Sequence, residues 1–176
     1  KLMLNESDLT YIRQHNLLHT SVFSHLESDL PLLHKIIDIS FDFSTRYDEE
    51  YLQQVCPYIS YAFFSGSSLP EEECMNLIKR VHLLGTSVVC VTRGEEGALL
   101  SVENQLFKQP IIPTNVVDTL GAGDSFIAGF LSSYLPEKNI AKALHNGSLV
   151  ASQTCQNYGA FGYGKEYNAD CAMVLK

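Results

Sequence analysis

Val116-Val-Asp-Thr-Leu-Gly-Ala-Gly-Asp-Ser-Phe-Ile-Ala-Gly-Phe130 is the stretch on which the fold turns. The β-branched pair Val116-Val117 predicts extended chain. Gly121 and Gly123 free the backbone for a tight turn, and the apolar run after them predicts a helix. A glycine-rich turn opening a helix brings backbone N–H groups into a concave nest. The helix end adds unpaired donors and about half a positive charge. An anion is therefore expected against the N–H groups of Leu120, Gly121, Ala122 and Gly123. Asp124, in the first helical turn at the rim of that nest, is placed to take a proton from a nucleophile attacking phosphorus or a carbonyl. An ordinary helix start gives the same local pattern, because Asp favours helix N-termini and Gly-Ala-Gly can be a plain tight loop.

The rest of the chain sets the frame for this stretch. Its 176 residues suffice for one α/β domain spanning 1–176 with a real core. With 45% hydrophobic and 18% charged residues it reads as a soluble globular protein. A net charge of −8 argues against nucleic acid or an anionic membrane surface as partner. No apolar run approaches the roughly 20 residues of a membrane span, and the chain opens on Lys1 with no signal-peptide pattern. The cysteines Cys56, Cys74, Cys90, Cys155 and Cys171 are dispersed, without the close pairs of a zinc site. They read as reduced thiols in a cytoplasmic protein.

Strand-like and helix-like segments alternate along the chain. Ser7 is expected to cap a helix through Gln14, and Leu17–Phe23 reads as a strand. Leu26–Ile36 is helix-like, with Pro31 limiting its first turn. Ile37–Phe43 reads as a strand, Asp48–Val55 as a short helix and Tyr61–Phe64 as a buried strand. Ser68-Leu-Pro-Glu71 resembles a capping box for a helix ending near Gly85. Ser87–Thr92 is a β-branched run that predicts a central strand. Ala98–Val102 and Gln105–Lys108 form a hairpin around Glu103-Asn104, and Ile111–Val117 is extended. Ala122–Tyr134 and Ile140–Asn157 are the longest helices, parted by Pro136, and Cys171–Val174 reads as a last strand. This alternation predicts an α/β fold with a mostly parallel sheet. The run Glu71-Glu72-Glu73 reads as a solvated first turn complementing a helix dipole.

Ligands of open α/β sheets lie beyond the carboxyl ends of the strands. After Ser87–Val91 comes Thr92-Arg-Gly-Glu-Glu-Gly97, whose glycines either let backbone approach a phosphate or simply make a turn. After Ile37–Phe41 comes Asp42-Phe-Ser-Thr-Arg46, where Asp42 faces a ligand or caps the next turn. Arg46 pairs a phosphate or lies on the surface. After Leu17–Phe23 comes Ser24-His25, and His25 is a candidate for contact with a polar substrate. His19 reads as a satisfied core or half-exposed strand residue. Gly159 reads as a helix C-cap. No Gly-x-Ser-x-Gly elbow points to a hydrolase.

Taken whole, Asp118-Thr-Leu-Gly-Ala-Gly-Asp124 followed by Phe126 and Gly129 resembles the C-terminal signature of the ribokinase-like (PfkB) family of sugar kinases. Thr92-x-Gly94-x-x-Gly97 resembles the family's nucleotide-lining segment. Asp42-Phe-Ser-Thr-Arg46 resembles its Asp-x-Asn-x-Arg segment, with Ser44 in place of Asn. His19, His25 and the Phe-Asp-Phe-Ser stretch fit best the fructoselysine or fructosamine kinase branch. The resemblance implies a three-layer ribokinase-like fold with a mostly parallel central sheet. It also implies ATP-dependent phosphorylation of a hydroxyl of a small-molecule sugar or sugar-amine, with Mg²⁺ and in some relatives a monovalent cation. By the same resemblance Asp124 is the general base and Gly121, Ala122 and Gly123 form the anion hole. Thr92, Gly94, Gly97, Asp118, Thr119, Ser148 and Gly159 would line the nucleotide, and His25, Asp42 and Asp124 would meet the substrate. Two departures stand out. The family's N-terminal third and lid have no counterpart here, and Ser65-Gly-Ser-Ser68 occupies the place of its Asn-x-x-Glu element. The expected alternative is a non-catalytic nucleotide-binding fragment, whose exposed edge strand invites pairing into a homodimer.

Overall fold

The run Val88-Val-Cys-Val-Thr92 has two β-branched residues on either side of a cysteine, three of them valines, and it forms a fully paired central strand. The computed structural model describes residues 3–160 and 162. These fall into two compact units, one through Ile111 and one from Ile112 onward. The expected strand at Cys171–Val174 lies outside the described residues.

The first unit is built on a six-stranded sheet in the order β1 Leu18–Ser21, β2 Ile39–Asp42, β3 Tyr61–Ser65, β4 Val88–Thr92, β5 Ala98–Val102 and β6 Gln105–Gln109. The first four strands are parallel, and β5 and β6 add on antiparallel. The β5–β6 turn places Glu103 and Asn104 at φ 50° and 66°, the left-handed pair a two-residue hairpin needs. Helices α2 Leu30–Leu33, α3 Glu49–Val55 and α4 Glu71–Leu83 make the parallel crossovers. Each crossover steps the same way across the sheet, so right-handed connections put all three on one face. Their buried residues, with Leu9 of α1 (Glu6–Ile12), pack in one cluster with Ile39, Phe41, Phe64, Val89 and Val91. On the other face of the sheet Phe63, Cys90 and Leu100 are buried as well.

Several boundaries differ from the expected ones for local reasons. Asn5, not Ser7, caps α1: its side chain accepts from Ser7 and Asp8 N–H while Asp8 reaches back to Asn5 N–H at 2.8 Å. The helix expected over 26–36 shrinks to the single turn of α2, with Pro31 in its first turn. The Ser68–Glu71 capping box does not form, because α4 starts at Glu71 with Pro70 as its N-cap, and the Glu71 carboxylate pairs with Arg93 and Lys108 instead. Glu71 is therefore an ion-pair partner rather than a freely solvated charge.

The second unit carries α5 Ala122–Glu137 and α6 Ile140–Thr154. Residues 111–117 form no strand, since Pro110 and Pro113 withhold ladder donors. Pro136 does not part the helices. It sits in the last turn of α5, which ends at Lys138 with φ 53°. The two helices approach closely at Gly129, where an added Cβ would lie 2.8 Å from the Asn146 carbonyl oxygen and 3.1 Å from Gly147 Cα. Ser125 Oγ and Thr154 Oγ1 join them at 2.7 Å. No helix of the described residues is long and apolar enough to cross a membrane.

Candidate active site

The glycine turn at the start of α5 is held from behind by Asp118. Its Oδ1 accepts from Leu120 N–H at 3.0 Å, and its Oδ2 accepts from Gly159 N–H at 2.9 Å. The backbone N–H groups of Val117 and Asp118 both donate to the Cys155 carbonyl. One side chain thus ties the loop before α5 to the turn after α6. Gly159 sits in that turn with φ 66° and does not cap the helix, because α6 already ends at Cys155 in right-handed conformation. Gln156 Nε2 donates to Thr114 Oγ1 at 2.7 Å, alongside a shallow cavity lined by Pro113, Thr114, Asn115, Val117 and Gln156.

The two N–H bonds, that of Leu120 foremost, hold the Asp118 carboxyl below its ordinary 3.8. A carboxyl depressed in the folded state adds stability that is present above about pH 4 and lost as the pH falls through its folded value. Acidification below that point should therefore release the Gly159 amide. Hydrogen exchange at Gly159 should accelerate in Asp118→Asn at neutral pH, whereas unchanged exchange would mean the tie does not hold the turn.

With the loop fixed this way, the donors sort themselves. Leu120 N–H is spent on Asp118, and Ala122 N–H reaches the Thr119 carbonyl at 3.2 Å. Neither is open to an anion in this arrangement, so the expected four-amide hole is narrower. The N–H groups of Gly121, Gly123 and Asp124 precede Ser125, the first intrahelical donor, and have no helical partner. Gly121 is the N-cap of α5 at φ 76°, and a Cβ there would press to 2.8 Å from Ala160 Cβ. Internal packing alone therefore accounts for that glycine. Gly123 is different: a Cβ there would meet nothing within 4 Å. Its bare backbone faces open space, which is the shape an approaching phosphate needs. Asp124 is exposed beside it, with no hydrogen bond or ion pair to another described residue. Thr119 is exposed in the same loop, and Ser148 is buried within α6.

In the first unit the remaining candidates gather at the carboxyl ends of the strands. Ladder bonds continue past the strands: Ser65 N–H donates to Ser44 O and Gly66 N–H to Thr92 O, each at 2.7 Å. Asp42 Oδ1 accepts from Ser44 N–H at 2.8 Å, the capping role, and Ser44 takes φ 53°. Val22 N–H donates to Asp42 O at 2.9 Å, which sets the loop carrying exposed His25 beside the end of β2. His19 Nδ1 lies 3.1 Å from Ser40 Oγ. Arg46 lies over the Tyr51 ring at 3.6 Å and pairs with Asp48, a surface arrangement. After β4, Gly94 at φ 57° and Gly97 at φ 80° bracket a tight exposed turn. Arg93, passed over in the sequence, is the one buried charge there.

A family model described as pfkB family carbohydrate kinase matches residues 61–162. The chain is 50% identical over 170 residues to fructosamine kinase FrlD of Bacillus subtilis, covering 97% of this chain and 60% of that protein. It is 34% identical over 160 residues to fructoselysine 6-kinase of Escherichia coli, covering 90% and 60%. It therefore spans about 60% of the length of these curated relatives. Among solved structures, Arabidopsis thaliana ribokinase complexed with ribose and ATP matches with TM-score 0.75 at 21% identity over 89% of this chain and 55% of that one. The microbiome-derived acarbose kinase Mak1 matches with TM-score 0.80 at 22% identity over 98% and 60%. These structural likenesses establish a shared ribokinase-like α/β fold, and the match over 61–162 establishes descent: this chain belongs to the pfkB family of carbohydrate kinases.

Proposed function

We propose that this chain carries the phosphoryl-transfer machinery of an ATP-dependent kinase acting on a hydroxyl of a sugar-amine of the fructosamine class. The observation that carries this is the start of α5, where exposed Asp124 stands next to the open face of Gly123. The relatives named fructosamine kinase and fructoselysine 6-kinase support the substrate class. In this reading Asp124 takes the proton of the attacking hydroxyl as that oxygen bonds to the γ-phosphorus and the bond to ADP breaks. The N–H groups of Gly121 and Gly123 receive the oxygens of the transferring group. Thr92, Gly94 and Gly97 of the first unit and Asp118, Thr119 and Gly159 of the second are the proposed nucleotide contacts, and His25 and Asp42 the proposed contacts to the sugar-amine. The turn at Gly159 is the place for a monovalent cation.

Among the described residues no three His, Cys, Asp or Glu side chains gather to hold a metal. Mg²⁺, as in ribokinase-like kinases, would bind largely through nucleotide phosphates and water and neutralise charge there. The cysteines at 56, 74, 90 and 155 are free thiols, which supports a cytoplasmic setting. β1 is an edge of the sheet, which supports pairing with a second copy.

A second reading has its own support in the 60% coverage of the relatives: a nucleotide-binding unit without turnover. A coupled ADP-release assay of the purified chain with ATP and fructoselysine separates the two. Sugar-dependent ADP release supports the kinase; saturable ATP binding without release supports the second reading. Absence of ATP binding would remove both.

A further inference from the structure

Arg93 presents an unusual use of charge. Its side chain is 7% exposed, yet it lies in an outer loop rather than in the core. Nη1 donates to Glu71 Oε2 at 3.0 Å, and Nη2 pairs with Glu96. Glu71 is the first residue of α4, and its other carboxylate oxygen pairs with Lys108 of β6. The Arg93 backbone closes the same loop: its N–H donates to Gly97 O at 2.7 Å, and its carbonyl accepts from Glu96 N–H at 3.1 Å. The 94–97 turn is therefore braced to α4 through Glu71, which Lys108 in turn ties to β6.

Such bracing answers a specific difficulty. Gly94 and Gly97 both take positive φ, and a glycine turn is conformationally loose unless something fixes it. Both carboxylate partners reach solvent, Glu71 at 39% and Glu96 at 65% exposure, and ion pairs open to water add little stability. What they supply well is geometry, and the planar guanidinium fork holds two carboxylates at once. The Nε of Arg93 is buried without a hydrogen-bond partner among the described residues, so the cation is retained despite incomplete satisfaction.

We propose that Arg93, through Glu71 and Glu96, is a positioning residue that sets the 94–97 turn in its nucleotide-receiving shape. The proposal rests on the kinase reading for its ligand and on the ion-pair geometry for its mechanism. Two readouts on the whole chain test it. Without nucleotide, Arg93→Met should raise hydrogen exchange at Glu96 and Gly97 at least tenfold, with α4 unchanged. With ATP titrated in, the dissociation constant should rise on the order of tenfold, because small displacements of positioning groups carry large penalties. Glu71→Gln, which leaves Arg93 its Glu96 partner, should move both readouts the same way by less. It also serves if Arg93→Met does not fold. Unchanged exchange at Glu96 and Gly97 would overturn the proposal, and so would faster exchange with an unchanged ATP constant. A wild-type chain that binds no ATP would instead sink the kinase reading and the nucleotide role together, while the exchange data would still judge the bracing.

Discussion

Asp124→Asn should lower sugar-dependent turnover by at least 100-fold while leaving the ATP dissociation constant within about twofold, since a positioned general base contributes roughly 10²- to 10⁴-fold. The substitution is nearly isosteric, and the side chain makes no hydrogen bond or ion pair with another described residue that the change would break. Loss of a carboxylate from the first turn of α5 weakens only its match to the helix dipole, typically about 0.3–1 kcal/mol. Folding should therefore survive. The amide cannot take a proton from an attacking hydroxyl, so the chemical step is what suffers. Parallel measurements of ADP release and of ATP affinity separate these effects. Near-normal turnover would dismiss Asp124 as the base.

Gly97→Ala should produce the second large effect, a loss of about 3 kcal/mol or more in stability to urea. Gly97 sits at φ 80°, ψ −130°, a conformation open essentially to glycine alone. An added Cβ would also run into the carbonyl of Gln109, which is backbone and cannot swing aside. Ala98 and Gln109 are the first pair of the β5–β6 ladder, so the collision falls where that ladder starts. At Gly123 the same methyl group would meet nothing, which shows how differently two glycines of similar motifs are constrained. A loss below about 1 kcal/mol would mean that the turn relaxes around the new side chain.

Much of the fold was legible because its signals are local. Tyr61–Ser65, Val88–Thr92 and the hairpin at Glu103-Asn104 announce themselves through β-branched or aromatic runs and turn residues. Failures occurred where a distant partner decides. Ser68 should cap α4 by local rules, but α4 starts at Glu71 after Pro70, and the Glu71 carboxylate is drawn to Arg93, 22 positions away, and to Lys108, 37 away. Gly159 looked like a helix cap, and only the approach of Asp118 from 41 positions upstream explains its place. The glycine nest before Asp124 was readable as a motif. Which of its amides stay open was not, because Leu120 and Ala122 are consumed by bonds that only the folded loop defines.

Every strand of the sheet pairs with the strand next to it in the chain. Among the described residues no strand waits for a later one to be inserted between it and its neighbour. Chain closure before each parallel pairing therefore spans a single helical crossover, and the antiparallel β4–β5 and β5–β6 pairings close over short turns alone. Among these six strands, each later one meets a neighbour that a ribosome has already delivered.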